Sequence, residues 1–365
     1  MYISEVSGHH QATLAIEKSL KFQYPSVDVL NINGFSYTYP IIEKIVNKAY
    51  MGVIKRTPNV WNYLYDNPKV AKKIQKIKNM IHKANHQKLE KLFKEFKPDC
   101  IVCTQAFPCG MVADYKVTQK KDFKVIGVLT DYAPHSYWIH EGVDYYIVPC
   151  EETGDLLVQK GVRRNQVKPY GIPVDPKFTS PLNKNYIFRK LRLDPEIPVV
   201  LIMGGGQGLG PIKEVIKSLL KAETELQMIV VSGTNKKLGR WIKKAQKKAL
   251  KKMIVYEFAN NIEELMAISV LTVTKPGGMT TAEALVKGLP MVIIKPLPGQ
   301  EMHNTEYLLK KGLAIRINKN EDIGRDMEEL LNSQERLCEM RAKAIDCGKP
   351  NSAGDIADLI MSSHG

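Results

Sequence analysis

The stretch VTKPGGMTTAEALVKGLPMVIIKPLPGQEMHN, residues 273–304, decides the fold. An apolar, β-branched run (VLTVTKPG, 270–277) ends in Lys275-Pro276-Gly277-Gly278. A helical pattern follows, and a second apolar run (LPMVIIK, 289–295) opens onto a polar loop. Continuous apolar runs joined through a helix read as parallel strands buried on both faces. The spacing predicts Thr280 and Thr281 as caps of that helix, with Gly278 to Thr281 offering N–H groups and hydroxyls to a phosphate. Glu283 is expected within about the first turn, where its carboxylate can accept from two adjacent ribose hydroxyls or simply meet the helix dipole. Gln300, Glu301, His303 and Asn304 form a loop dense in donors and acceptors, suited to a polyhydroxylated ligand.

The same alternation runs outward in both directions. The second half adds the strands PVVLIMG (198–204), LQMIVVSG (226–233) and KMIVYEF (252–258). The first half offers MYISEV (1–6), a helix over 10–20, then SVDVLNI (26–32), DCIVCTQ (99–105), FKVIGVLT (123–130) and DYYIVP (144–149). Strand–helix alternation predicts α/β architecture with right-handed crossovers, and 365 residues suggest about two domains. The proline-rich stretch 173–198 separates them. The expected division is a domain over 1–175, a linker over 176–197, a domain over 198–345 and a helix over 346–365 that packs back on the first domain. Two doubly wound, Rossmann-like domains facing a cleft would bind ligand where their strand C-termini meet.

Glycine-rich turns fall at that place in both halves: SGHH (7–10) and MGGGQGLGP (203–211). Five glycines between Gly204 and Gly210 allow close backbone approach, and the helix that follows favours an anion. A dinucleotide reading is weaker, because the spacing is not G-x-G-x-x-G and VVSG brings no acid for a ribose. No Gly-Lys-Ser/Thr follows, which excludes a P-loop. Cys100-x-x-Cys103 sits in a strand, where residues three apart face opposite sides, and no second pair follows at metal spacing. Both read as buried small hydrophobes.

Composition narrows the function further. With 44% hydrophobic and 25% charged residues the chain is an ordinary globular protein. No run reaches the roughly 18 apolar residues of a membrane span. MYISEVSGHH lacks a basic and an apolar region, so no secretory signal is expected, and six irregularly spaced cysteines point to a reducing compartment. The net charge is +15, and two segments account for it: residues 69–97 carry +8, residues 235–252 carry +9, and the remainder sums to −2. Basic surfaces attract phosphate, in lipid or nucleic acid, unless they are merely solvated helix faces. Lys236 to Lys252 has one aromatic, Trp241, and no recognised nucleic-acid module, so no nucleic-acid partner is expected. Seven aromatics, among them Phe35, Tyr50 and Trp61, crowd residues 35–65 beside Lys44, Lys48, Lys55 and Arg56. That composition suits a bilayer interface. A stripe from Val70 to Ala84 in the following lysine-rich segment reads as core packing.

Taken together, TKPGG, T-x-E-A-L, the PxPGQE-x-x-N loop, MGGGQGLGP, S-G-H-H-x-A and TDYAPHSYWIHEGVDYYIVPCEE (130–152) resemble, in order, the processive diacylglycerol glucosyltransferases and monogalactosyldiacylglycerol synthases. These are inverting, UDP-sugar-dependent enzymes of the GT-B fold, akin to glycosyltransferase family 28. The resemblance implies that Gly278 and Thr280 hold the diphosphate with Gly206 near it, Glu283 grips the ribose, and Glu257 and Phe258 flank the uracil. Gln300, Glu301 and Asn304 would hold the sugar. Gly8 and His9 would sit at the reacting carbon, and Asp131, His135 and Trp138 would line the acceptor side.

The first turn has less glycine than the family's, which leaves His9 or His10 as the inward residue; His9, directly after the glycine, is preferred. An imidazole can take the acceptor proton at neutral pH. Asp131 could be the base instead, or orient the histidine. A helix N-terminus with hydroxyls can stabilise the leaving UDP, and the chain contains no Asp-x-Asp, so no metal or other cofactor is expected. The expected partners are a UDP-sugar, a diacylglycerol or glycolipid acceptor and an anionic membrane surface. The expected place is the cytoplasm, peripheral on the inner face of the cell membrane. Rival readings are a UDP-sugar epimerase, a UDP-N-acetylglucosamine-dependent transferase acting on an isoprenoid lipid, and a membrane-bound UDP-sugar sensor.

Overall fold

Alternating apolar runs and helices fold into two parallel sheets, seen in a computed structural model that describes residues 1–2, 7–34, 37, 88–319 and 323–362. The chain divides into one unit of Met1–Pro176, Leu297–Gln300 and Asn351–Gly365 and a second of Lys177–Pro296 and Glu301–Pro350. Among the described residues no helix is long and apolar enough to cross a membrane.

In the first unit, β1 (Cys100–Cys103), β2 (Lys124–Val128), β3 (Tyr145–Ile147) and β4 (Val167–Lys168) pair in parallel in that order. The chain start extends the sheet. Thr104 N–H donates to the Met1 carbonyl at 3.1 Å, and Tyr2 bridges Asn33 in parallel, so Met1 and Tyr2 lie between β1 and Asn33. Residues 3–6 of the expected first strand lie outside the described residues; the expected strand 26–32 forms no ladder among the described residues, its end Ile32 accepting from Tyr2 N–H at 3.1 Å beside the Tyr2–Asn33 bridge. Helices α1 (Gly8–Gln23), α2 (Ala106–Thr118) and α3 (Glu151–Gln159) cover the sheet. Ser7 starts α1: it is extended at φ −139°, and its hydroxyl accepts from His10 N–H at 3.3 Å.

The second unit opens with α4 (Lys184–Leu191), inside the stretch read as a linker; Asn183 caps it by accepting from Tyr186 N–H. Its strands are β5 (Val199–Met203), β6 (Gln227–Val231), β7 (Met253–Tyr256), β8 (Leu271–Thr274), β9 (Met291–Ile294) and β10 (Ala314–Ile317). They are all parallel, in the order β10-β9-β8-β5-β6-β7. β5, β8 and β9 are buried along their whole length: β5 and β9 are continuous Val/Ile/Leu/Met runs, and β8 alternates Leu271 and Val273 with Thr272 and Thr274, of which Thr272 Oγ1 donates to the Leu201 carbonyl at 3.1 Å. The crossovers are α5 (Ile212–Lys221), α6 (Lys236–Gln246), α7 (Ile262–Ala267), α8 (Gly278–Val286) and α9 (Gln300–Lys310). Then come α10 (Ile323–Asn332) and α11 (Gln334–Cys347).

The last helix, α12 (Ser352–Ser362), belongs to the first unit. Ile356, Ala357 and Ile360 bury against Ile16, Leu20, Ile126 and Val128, and Ser352 Oγ donates to the Gly171 carbonyl at 2.8 Å. Ile356 has no exposed surface, so Ile356→Ala leaves a cavity. It should lower the unfolding free energy by about 2–5 kcal/mol, read as a shifted urea midpoint with an unchanged slope.

Candidate functional site

The strand order of the second sheet reverses direction between β5 and β8. Successive strands run outward one way as β5, β6, β7 and the other way as β8, β9, β10. In such sheets the crevice beyond the strand carboxyl ends, at the reversal, is where ligands bind. The two glycine-rich turns leave β5 and β8 there.

Gly205, Gly208 and Gly210 all have positive φ (67°, 57° and 103°). A side chain at Gly208 would put its Cβ 2.0 Å from the Ser232 carbonyl oxygen, and one at Gly233 would lie 2.4 Å from the Gly206 oxygen. The loop after β5 thus rests backbone-on-backbone against the loop after β6. Thr234 N–H donates to the Gly206 carbonyl at 2.8 Å, and Asn235 Nδ2 donates to the Gly208 carbonyl at 3.2 Å. Gly206 remains exposed.

After β8, Gly277 is the N-cap of α8, and no side chain caps that end. The expected caps therefore lie elsewhere: Thr280 is half-buried inside the first turn, and Thr281 is fully buried, its hydroxyl without a partner among the described residues. Gly278 opens the helix, and Glu283 stands half-buried in the second turn rather than the first. Two residues read as holding the sugar also reach this turn. Asn304 has no exposed surface and donates to the Pro276 carbonyl at 2.9 Å. Glu301 forms an ion pair with Lys275 at 2.6 Å, with only 18% and 11% of the two side chains exposed. Glu257 and Phe258 follow edge strand β7 at the same end of the sheet. Glu257 pairs with Lys243 at 2.7 Å, and Phe258 is well exposed.

In the first unit, His9 lies in the first turn of α1, directly after the exposed Gly8. Its Nδ1 is 3.1 Å from Thr130 Oγ1. Its carbonyl accepts from Thr13 Oγ1 at 3.0 Å and Thr104 Oγ1 at 2.9 Å, and those two hydroxyls are 2.9 Å apart. Burial pushes the His9 pKa below its ordinary 6.5, while the Asp131 carboxylate and the Thr104 backbone pull it upward. Gln300 Nε2 donates to Asp131 Oδ2 at 3.1 Å. His10 turns the other way and stacks on Tyr2, ring centroids 4.2 Å apart.

His135 stacks with Trp138, but Trp138 is only 5% exposed and packs into the core beside Gly127. A buried indole cannot line an acceptor surface, so its part is to support His135. Sequence reading missed Thr13, Thr104 and Thr130. Thr13 follows His9 by one turn of α1, whereas Thr104 and Thr130 are brought to residue 9 by the fold. Cys100 and Cys103 are free thiols; burial lifts Cys100 to about 12, and Cys103 hydrogen-bonds Cys109.

Known proteins share this arrangement. The family profile for monogalactosyldiacylglycerol (MGDG) synthase matches residues 9–174, and that for the glycosyltransferase family 28 C-terminal domain matches residues 199–360. The processive diacylglycerol beta-glucosyltransferase of Bacillus mycoides (strain KBAB4) is 30% identical over 98% of this chain and 91% of its own. The enzyme of the same name from Bacillus subtilis (strain 168) is 30% identical over 97% and 92%. Among solved structures, S. aureus MnaA with UDP superimposes with a TM-score of 0.65 at 14% identity, covering 100% of this chain and 96% of its own. Acinetobacter baumannii MurG gives 0.58 at 17%, covering 78% and 79%. These structures establish a GT-B fold of two Rossmann-like domains, shared by transferases and epimerases alike, whereas the full-length sequence relationship runs to the glucosyltransferases. The chain belongs to the diacylglycerol glycosyltransferase family, with an MGDG-synthase-type first half and a family 28 second half.

Proposed function

We propose that the protein transfers a hexose from a UDP-sugar to a diacylglycerol-type lipid at a membrane surface, in one displacement that inverts the anomeric centre and gives a β-glycoside. The observation that carries this reading is the 30% identity to processive diacylglycerol beta-glucosyltransferases along 98% of the chain.

The second unit supplies donor chemistry. Glycine loops at the strand reversal admit a diphosphate to backbone contact near Gly206 and Gly278, and the uncapped N-terminus of α8, with Thr280, stabilises charge on the departing UDP. In this proposal no metal takes part. Glu283 accepts from the ribose hydroxyls, Glu257 and Phe258 flank the uracil, and Gln300 and Glu301 contact the sugar. Lys275 and Asn304 hold the turn that presents them.

The first unit supplies acid–base chemistry. A histidine with a depressed pKa is neutral at pH 7, so His9 can take the acceptor proton without first losing its own. With Nδ1 engaged by Thr130, Nε2 is left for that proton. Asp131 then stabilises the imidazolium, and His135 borders the acceptor.

Incubation with labelled UDP-glucose, UDP-galactose or UDP-N-acetylglucosamine and mixed lipids should yield a labelled glycolipid on thin-layer chromatography. Labelled lipid from none of the three would defeat the reading. His9→Ala should cut kcat by about 10²–10⁴-fold while UDP binding, read by calorimetry, stays within about twofold of wild type. The acid limb of kcat/KM against pH should fall below 6.5, and Asp131→Asn should move it lower still, because the carboxylate raises the His9 pKa. Stability should follow the same sign. Between the depressed native value and 6.5 the unfolded chain binds more protons at this position, so His9's contribution falls as pH drops through that window.

A further inference from the structure

The segment 236–252 holds eight lysines and Arg240 with no acidic residue. Three exposed helical lysines elsewhere have a carboxylate one turn away: Lys21 with Glu17, Lys94 with Glu90, Lys343 with Glu339. In this segment Lys243 pairs with Glu257, and Lys251 folds under to the Leu219 and Thr224 carbonyls at the end of α5. The other six lysines and Arg240 are exposed and form no ion pair among the described residues. Like charges one turn apart in α6, such as Lys236 with Arg240 and Arg240 with Lys244, oppose helix formation. A face that is only solvated gains nothing from keeping them.

Two apolar groups sit within this field. Trp241 shares its helix face with Lys237 and Lys244, and Lys213 and Lys217 of α5 bring their Nζ atoms to 5.4 and 5.9 Å from its ring. Glu214 is the acid on that neighbouring helix. Just beyond α6, Leu250 is completely exposed among lysines. Interleaved lysine, tryptophan and leucine is the chemistry of a bilayer interface: ammonium groups meet lipid phosphates, the indole sits at headgroup depth, and the leucine leaves water. A single-stranded nucleic-acid groove would instead present open aromatic faces for stacking. Here the aromatic ring lies under lysines, and the open side chain is aliphatic.

We infer that the face formed by α5, α6 and Leu250 of the second unit docks on an anionic lipid bilayer. The inference goes beyond the proposed function, which asks of the second unit a donor site and no surface of its own.

Full-length protein is floated with phosphatidylcholine vesicles that contain or lack phosphatidylglycerol. Wild type should partition onto the anionic vesicles and come off as salt rises. Lys244→Glu/Lys247→Glu/Lys248→Glu should lower that partition by about tenfold or more, and Leu250→Ser alone by roughly threefold. Both variants should keep the wild-type transfer rate on detergent-dispersed acceptor. If the triple variant fails to fold, judged by circular dichroism, Leu250→Ser carries the test. Vesicle binding unchanged in the folded variants would overturn the inference, as would an oligonucleotide that displaces the protein from vesicles and is itself lost in the triple variant. A wild type that floats with anionic vesicles but transfers no sugar would defeat the proposed function and leave this inference standing.

Discussion

The donor half depends on a contact that leaves no room for a side chain. The loops after β5 and β6 touch through their backbones, and a Cβ at Gly208 or Gly233 would overlap a carbonyl oxygen at 2.0 or 2.4 Å. Both glycines also hold positive φ, which an L side chain resists even in open space. Exposed Gly206 can then meet a ligand through its main chain, with its carbonyl already taken by Thr234. The close approach is thus structural first, and the proposed anion site would follow from it.

In the first half the governing balance is electrostatic. Burial favours neutral imidazole at His9, and the Asp131 carboxylate favours the cation. A base needs both: a neutral start at working pH and a charge waiting to stabilise what it becomes. The hydroxyls of Thr13 and Thr104 fix the His9 main chain through its carbonyl, while Thr130 fixes the ring through Nδ1. The ring is therefore held from two directions, and its orientation does not rest on the short helical turn alone.

Much of this was legible in the sequence, for physical reasons. Buried parallel strands are largely apolar and β-branched, so β5 and β9 announce themselves, as does β8, where Thr272 and Thr274 are β-branched, and glycine turns mark the ends of β5 and β8. Strands that break the pattern do not. β4 is two residues long, and β10 carries Arg316 in a four-residue strand, so neither stands out. The threonine-rich turn suggested hydroxyl caps, but the chain starts α8 at Gly277, which pulls Thr281 inside and moves Glu283 into the second turn. The membrane reading of residues 35–65 and of the stripe 70–84 falls, apart from Tyr37, outside the described residues. Thr104 and Thr130 were invisible because a hydrogen bond across 95 or 121 positions leaves no local pattern.

The polar loop after β9 shows why residue type alone misassigns roles. Gln300, Glu301 and Asn304 read as one sugar-binding cluster, yet a helix separates them by face. Asn304, one turn on from Gln300, points inward to the Pro276 carbonyl, while Gln300 reaches Asp131 and Glu301 neutralises Lys275. Lys275 and Asn304 both act on the Lys275–Gly278 turn, the first through its charge and the second through a peptide oxygen. Removing one partner of a largely buried pair leaves the other charge stranded, at a cost of about 3–5 kcal/mol. Loss of activity at Glu301 or Asn304 would therefore report a displaced turn and helix N-terminus as much as a lost sugar contact. Of the three, Asn304 is fully enclosed and bonded to that turn, so its replacement reports most directly on what the turn contributes to donor affinity.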